Sequence, residues 1–497
     1  MKPAAAFPAM FSAKEKLLFS YWFLVVFSIA GAILLKSFLP LLIPAFLIFV
    51  VFSVQRLDLV FLLLFMLIPL STELMVTDSL GTDFPGEQLM WYLFGVYLLL
   101  LVHSPRVRTS TVFNHPISWI IFLHLGWIFF TLVFSENHLV SFKFFLSKLW
   151  YVGVFYFLAY WMIGDKKTLD RVIKVVFASL LFTAVVVFIR HGIEGGFTFA
   201  TINSVVNPFY RNKVNYSAII AVLLPLFWYL RTTLKKGSGF KFFLTLAMAF
   251  LLVALYFGYT RASMIALIAA LFTPLLLRHR LIKPILVVAV LGAGGLTYYM
   301  FSGEKYLEYA PDYERTITHH KFDNLLEATY QFEDISTMER FYRWIAGYYM
   351  VVEKPVTGFG PNTFYESYKP FTVRSYETYV SDNPEKSGIH NYYLMLMIEQ
   401  GIIGFTIFFA LVTVFLLRVE KLYQRMEEGP GKNLLVAIAA STIVILLLQL
   451  MNDLIEVDKI GPFFWLWLAL LVKMERDWSK SITQKQQEEG NYNPSGA

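Results

Sequence analysis

Several cationic residues stand out because they adjoin apolar segments of the chain. Arg211 and Lys213 flank one such segment, and Arg261 lies in the short stretch 259–263 between two others. An arginine at membrane depth is costly and calls for a partner or a ligand, and its planar guanidinium suits phosphate oxygens. We therefore predict that Arg211 and Arg261 bind a phosphate or pyrophosphate group. The alternative is that these side chains only extend to lipid headgroups.

His390 is a second type of reactive residue, at the start of a later apolar segment. Imidazole titrates near neutral pH, so this histidine is suited to act as a general base. Glu399 follows nine residues later, which on a helix is half a turn out of phase and roughly 13–14 Å along the axis. The two side chains therefore have separate roles. The alternatives are a histidine that contacts headgroups and a glutamate that anchors one helix to another.

The composition indicates the kind of protein that positions these residues. Of 497 residues, 57% are hydrophobic and 15% are charged, and the mean hydropathy is +0.58. Soluble domains have about 45–50% apolar and about 25% charged residues, so a soluble enzyme and a disordered chain are both excluded. The chain has no cysteine, which excludes disulfides, thiolate nucleophiles and iron–sulfur clusters. The net charge of +7 is explained by basic cytoplasmic loops, so we predict no nucleic-acid partner.

Apolar runs of about 20 residues indicate membrane-spanning helices. We predict an all-α polytopic bundle of about 12–14 transmembrane helices with one large periplasmic loop that contains short helices. Fourteen candidate segments are present, at 17–35, 38–54, 57–71, 88–104, 117–134, 149–163, 172–189, 214–230, 242–259, 262–277, 284–302, 392–417, 434–451 and 462–473.

The distribution of Lys and Arg predicts the orientation. With the N-terminus inside, the inner segments carry 25 of these residues and the short outer segments carry 8. Because basic residues collect in cytoplasmic loops, we expect both termini in the cytoplasm and the reactive residues at the outer face of the membrane.

The same segments divide the chain into four parts. Residues 1–302 form transmembrane helices 1–11, and residues 303–389 form the periplasmic loop, with an amphipathic helix from about Thr337 to Glu353. The apolar face of that helix is predicted to be Phe341, Trp344, Ile345, Tyr348 and Val352, with Arg340 and Arg343 on its solvated face. Residues 390–473 form the last transmembrane helices, and 474–497 form a disordered cytoplasmic tail.

Several common catalytic patterns are missing from the sequence. It contains no Walker A motif, no His-Glu-x-x-His, no Asp-x-Asp pair and no Gly-x-Ser-x-Gly elbow. These absences argue against a P-loop ATPase and, more weakly, against a metal-dependent transferase that uses nucleotide sugars. We expect no metal site and no cofactor.

Three motifs resemble those of the O-antigen ligase and O-antigen polymerase superfamily, which are bacterial polytopic membrane glycosyltransferases. The stretch 259–267 around Arg261 resembles its hairpin arginine motif, and Arg340-x-x-x-Trp344 with 355–364 resembles its periplasmic-loop motif. The segment His390-Asn391 followed by Glu399-x-Gly401 is the most specific match. The stretch 207–225, which contains Arg211, is a looser one. Together these matches span 207–404.

The resemblance implies a metal-independent, inverting glycosyltransferase. Its donor would be a glycan on undecaprenyl pyrophosphate, and its acceptor a hydroxyl of lipid A–core, of another glycan or of another molecule, with membrane lipids as its surroundings. The catalytic residues would be His390, Arg211 and Arg261, and the candidate substrate-binding residues are Lys213, Arg340, Asn391 and Glu399. The resemblance implies an O-antigen ligase-like enzyme, and an O-antigen or exopolysaccharide polymerase of the same superfamily is the alternative that stays open.

A lipid-linked glycan flippase or transporter is the alternative of another class. Many spans with polar residues inside the bundle would suit it as well. A flippase needs charges along its whole translocation path, whereas the distinctive charges here gather near one face.

Overall fold

The computed structural model describes residues 13–77, 80–310, 335–377, 381–383 and 387–491. These residues are mostly helical. The described α-helices are α1 Ala13–Leu34, α2 Leu42–Gln55, α3 Leu57–Leu70, α4 Gly86–His103, α5 Pro105–Arg108, α6 Pro116–Val133, α7 His138–Tyr151, α8 Ala159–Met162, α9 Lys166–Gly195, α10 Ile202–Val205, α11 Lys213–Thr233, α12 Gly239–Tyr256, α13 Arg261–Leu271, α14 Thr273–Arg278, α15 Ile282–Phe301, α16 Ile335–Glu353, α17 Phe364–Ser367, α18 Tyr392–Arg425, α19 Pro430–Leu448 and α20 Gly461–Asn491.

Two other kinds of element interrupt this helical pattern. A buried π-helical stretch, Val152–Leu158, joins α7 to α8 and makes one continuous apolar segment. A small antiparallel hairpin pairs β1 Thr72–Thr77 with β2 Leu80–Phe84. This hairpin lies between two predicted spans and was not expected in an all-α bundle.

The membrane-spanning character of the bundle is confirmed, although the number of spans differs from the prediction. In the described part of the chain, eight helices are long and apolar enough to cross a membrane, or up to ten if each of two bent pairs is one span. Each of the fourteen predicted segments is helical. The count falls because α2 and α3 form one bent pair, at 112°, and because the helices at 17–35, 262–277 and 462–473 are not long and apolar enough to count as spans.

Contacts divide the chain into two units, residues 1–63 and 64–497. In the first unit, the Tyr21 hydroxyl donates to the Pro44 carbonyl oxygen at 3.4 Å and links α1 to α2. In the second unit, α11 and α19 pack most extensively, and most of their side chains are buried. The buried residues of α19 include Ala439, Ala440 and Ser441. Small residues of this kind let helix backbones approach closely in membranes.

The predicted helix of the polar segment 303–389 is present as α16, but its buried face is different. The buried apolar residues along it are Met338, Tyr342, Ile345, Ala346 and Met350. Val352, expected on the apolar face, is 61% exposed. The helix packs against α18 and the short turns that follow it, so it is covered on more sides than a surface helix would be. Residues 311–334 of this segment lie outside the described residues.

The polar stretch after Lys473 also differs from the prediction of a disordered tail. Helix α20 continues without interruption to Asn491. Its first polar turn is held in place because Glu475 accepts from Arg418 Nη1 at 2.9 Å and lies 2.8 Å from His115 Nε2. Only residues 492–497 of the predicted tail lie outside the described part of the chain.

Candidate active site

His390 lies in the connection between the polar segment and α18. The next residue, Asn391, is the N-cap of α18, and its Oδ1 accepts from the Leu394 N–H at 3.0 Å. His390 has a φ of +56°, in the left-handed region that costs a non-glycine residue on the order of 1–3 kcal/mol and is concentrated at functional sites. Its Nδ1 is buried and has no hydrogen-bond partner among the described residues. This nitrogen is therefore available to a ligand proton.

Burial and two arginines of α16 keep this histidine neutral, which differs from the expectation of a side chain that titrates near neutral pH. Burial is the main cause that lowers the pKa of His390 to about 3, and the charges of Arg340 and Arg343 lower it further. Arg343 is only 5% exposed. It donates to the Gly388 carbonyl oxygen at 3.1 Å and to Glu339 Oε2 at 3.2 Å. The prediction that Arg343 lies on a solvated face is wrong, because α16 packs against the segment that ends in His390.

Arg211 is related to this cluster through its electrostatic effect on a half-buried carboxylate, Asp453. Burial raises the pKa of Asp453, and the positive charge of Arg211 acts in the opposite direction. Asp453 lies directly beside Gly388, where an added Cβ would be 3.1 Å from its Oδ2. Gly388 also accepts from Arg343, so the charge of Arg211 acts on a carboxylate that lies beside the segment of His390. Arg211 itself is exposed, and its guanidinium can reach a ligand.

Lys213 and the hairpin of Arg261 lie at the same end of α11. The Thr260 hydroxyl donates to the Lys213 carbonyl oxygen at 3.4 Å, and Lys213 Nζ is 3.6 Å from the ring centroid of Phe199. Tyr259, with a φ of +51°, makes the tight turn before Arg261 starts α13. The hairpin between α12 and α13 is therefore formed as predicted, beside the N-terminus of α11, where a helix dipole favours negative charge.

Glu399 has a different environment from the other predicted site residues. It is 2% exposed, and its two carboxylate oxygens accept from the backbone N–H groups of Asn362, at 2.8 Å, and Phe364, at 3.3 Å. These bonds attach the polar segment to α18. They favour the interpretation of Glu399 as an anchor, and a role in substrate binding stays a prediction.

The backbone around Gly401 explains why this anchor is possible. Gly401 has a φ of +69° and interrupts α18, and a Cβ there would overlap the carbonyl oxygen of Val356. The opened turn binds the polar segment through its backbone, with Ile402 N–H donating to Pro355 at 2.8 Å and Phe359 N–H donating to Ile398 at 2.9 Å. The motif Glu399-x-Gly401 is thus a docking site for the 355–364 stretch.

The structure brings His390, Arg340 and Arg211 into one cluster and leaves Lys213 and Arg261 on the neighbouring hairpin end. Two members of the cluster were missed in the sequence, Arg343 and Asp453. Asp453 could have been found in the sequence, because it is an acidic residue between the last two apolar segments. Among the described residues, no group of three or more His, Asp or Glu side chains could hold a metal ion.

Comparison with known proteins supports the resemblance seen in the motifs. Residues 245–409, a third of the chain, match the family model described as O-Antigen ligase. The matched range includes Arg261, Arg340, His390 and Glu399, whereas Arg211 lies before it. A comparison with curated proteins returns no match.

Proposed function

We propose that the chain is a membrane glycosyltransferase of the O-antigen ligase superfamily, which the match of residues 245–409 supports, and that it transfers a glycan from undecaprenyl pyrophosphate to an acceptor hydroxyl. The acceptor in a ligase is lipid A–core, and in a polymerase it is another glycan. We favour the ligase. The proposed location is a bacterial inner membrane, with the site at its periplasmic face and both termini in the cytoplasm.

The observation that carries this proposal is the pairing of a neutral imidazole with several guanidinium groups at one end of the bundle. His390 is buried against Arg340 and Arg343, and Arg211 is linked to the same segment through Asp453. The imidazole offers Nδ1, which is unpartnered among the described residues, to a hydroxyl proton, and the cations can bind a phosphate that leaves with added negative charge. The negative charge of the bound pyrophosphate offsets the charges of the arginines, so the imidazole becomes a stronger base when the donor is bound.

The cations act on the leaving group in this proposal. Arg211 and Arg261 bind the pyrophosphate of the donor, and Lys213 adds a third positive charge at the N-terminus of α11. As the bond between the anomeric carbon and the pyrophosphate oxygen breaks, that oxygen keeps the electron pair. Preorganised cations in a site of low dielectric stabilise this charge without reorganisation.

His390 acts on the acceptor. The acceptor oxygen attacks the anomeric carbon from the side opposite to the pyrophosphate, so the configuration inverts, and its proton passes to Nδ1 of His390. This step requires the tautomer with its proton on Nε2. Arg340 and Asn391 are proposed to position the substrates. The glycosyl–pyrophosphate bond supplies the free energy, so we propose that no metal and no cofactor are needed.

The surface glycan of a strain that lacks this protein separates the possibilities. Accumulation of long lipid-linked chains with no polymer on lipid A–core supports a ligase. Single repeat units on the acceptor support a polymerase. Restoration by the wild-type gene but not by His390→Ala, inserted at the same level, ties either result to the site. Glycan that crosses a vesicle bilayer without forming a new glycosidic bond would instead favour a flippase.

A further inference from the structure

A cavity of about 320 Å³ lies at the end of α18 that is opposite to His390. Its walls come from the last turns of α18, the polar part of α20 and the turn before α6. Helix α18 has 34 residues, which at 1.5 Å per residue is roughly 50 Å of helix between its two ends. The cavity is therefore separate from the candidate active site.

Basic side chains dominate the lining of this cavity. They are Arg418, Lys421, Arg425, Arg476 and His115. The carboxylate in the lining is Glu475, which is already bound by Arg418 at 2.9 Å and lies 2.8 Å from His115. One acid thus balances only part of the positive charge, and the cavity has an excess of cations.

The excess is concentrated on Lys421 and Arg425. Both side chains are exposed, and neither has an ion-pair partner in the part of the chain that the structure describes. They are one helical turn apart on α18, so they lie on the same face and point toward the same space. Arg476 is fixed nearby by Asp477 at 2.8 Å and by the Tyr160 hydroxyl at 3.1 Å.

We propose that this cavity binds the phosphate group of an anionic lipid headgroup in the leaflet at that face. Two uncompensated cations and a rigid guanidinium supply the charge and the fork of donors that recognise phosphate oxygens. Trp478 in the lining is a residue type found where membrane meets water. The volume of the cavity is within the range of small-molecule sites, which starts at about 300 Å³.

Orientation alone also places Lys and Arg at one face of a membrane protein, so a control pair is needed. Lys235 and Lys236 are exposed after the end of α11. The Asn433 side-chain amide donates to the Thr232 hydroxyl at 3.5 Å, which puts the end of α11 at the same face as the end of α18. Lys235 and Lys236 are outside the cavity lining. Their replacement removes the same charge at the same face.

The test is a titration of the full-length protein, purified in an uncharged detergent, with short-chain phosphatidylglycerol. Short-chain phosphatidylcholine and inorganic phosphate are titrated in parallel. We expect saturable binding of phosphatidylglycerol and a Kd that is roughly 30-fold weaker in the Lys421→Gln/Arg425→Gln variant, from the usual contribution of each basic residue to anionic-lipid attraction. Lys235→Gln/Lys236→Gln and Lys421→Arg/Arg425→Lys keep the wild-type Kd.

The parallel titrations identify the source of the phosphate. Displacement of the lipid by inorganic phosphate supports a site that takes phosphate from either source, and binding that phosphate does not displace supports the headgroup alone. Equal binding of phosphatidylcholine overturns the proposal. So does an equal loss of affinity in the two charge-neutralised variants, because the effect would then come from the charge of the face and not from the cavity.

Discussion

At the scale of single residues, the proposed chemistry depends on His390 remaining uncharged beside cations. Burial and the charges of Arg340 and Arg343 lower its pKa to about 3. A group with a lowered pKa binds its proton only at more acidic pH, so this imidazole stays neutral from pH 8 down to pH 5. The imidazole of an ordinary histidine is half protonated at about pH 6.5.

We therefore predict that the transfer rate of the wild-type protein does not fall as the pH is lowered through about 6.5, where an ordinary histidine titrates. Arg340→Gln removes one of the charges that disfavour the imidazolium, so the acid limb of its pH–rate profile should move to higher pH. Arg374→Gln is the control, because Arg374 is an exposed cation of the same polar segment. Identical profiles for the two variants would show that Arg340 does not act on His390.

Arg211 and Arg190 provide a comparison of two arginines at the same end of the bundle. Arg190 is held by Glu194 at 3.1 Å and by the Asn207 carbonyl oxygen, whereas Arg211 is exposed beside Asp453. We predict that Arg211→Gln lowers kcat by about 10²–10³-fold, as the loss of one oxyanion-stabilising donor does. Arg190→Gln should change it by less than about tenfold. Comparable losses of kcat in both variants would show that Arg211 has no specific role in catalysis.

The residue types at the site were predictable, but their grouping was only partly so. Arg211 was found because its position conflicts with the rules for membrane loops, and His390 was found because it starts an apolar segment and its imidazole can act as a base. Arg343 and Asp453 were missed because their burial depends on how α16 and the connection after α19 fold back onto the site. Sequence periodicity records one face of α16, and it does not record contacts on its other sides.

At the scale of elements, the break in α18 at Gly401 positions the polar segment. The opened turn receives backbone hydrogen bonds from the 355–364 stretch, and Glu399 accepts two more. A uniform helix could not supply these groups, since its backbone bonds would be used internally. The position of α16, and with it Arg340 and Arg343, follows from this junction.

Gly401→Ala should disrupt the junction. An alanine there adds the strain of a positive φ, which costs about 1–3 kcal/mol, and its Cβ would overlap the Val356 carbonyl oxygen. We predict a lower Tm, measured by intrinsic tryptophan fluorescence in detergent, and a loss of transfer. Gly126→Ala is the control, because Gly126 lies in α6 with nothing within 4 Å of an added Cβ. An unchanged Tm in Gly401→Ala would contradict the role of this break.

Helices were the most predictable elements, because long apolar runs specify them directly. All fourteen predicted segments lie in helices, and α16 begins within two residues of its predicted start. The bends between α2 and α3 and between α4 and α5 were not predicted. The apolar residues of one helix do not determine the direction of the helix that follows it.

At the scale of the whole molecule, the charges are divided between two ends. Arginines gather around His390 at one end, and a separate basic cavity lies at the far end of α18. The first is proposed to face the periplasm and the second the cytoplasm. The composition predicted a membrane protein at once, but only the packing showed that each end has a distinct cluster.

Cysteine labelling tests this orientation cleanly, because the chain contains no cysteine. Asp382 is an exposed residue of the polar segment, and Lys236 is exposed at the other end of α11. We predict that Asp382→Cys reacts with a membrane-impermeant maleimide in intact spheroplasts and that Lys236→Cys reacts only after permeabilisation. The reverse pattern would put the candidate site on the cytoplasmic side.

The central claim is that the cluster around His390 breaks a glycosyl–pyrophosphate bond. The most direct measurement is the release of undecaprenyl pyrophosphate when the purified protein is given its lipid-linked glycan and a hydroxyl acceptor. We predict one undecaprenyl pyrophosphate released for each new glycosidic bond, and none above background with His390→Ala that retains the wild-type Tm. Release by that variant at the wild-type rate, or no release by the wild-type protein, would contradict the claim.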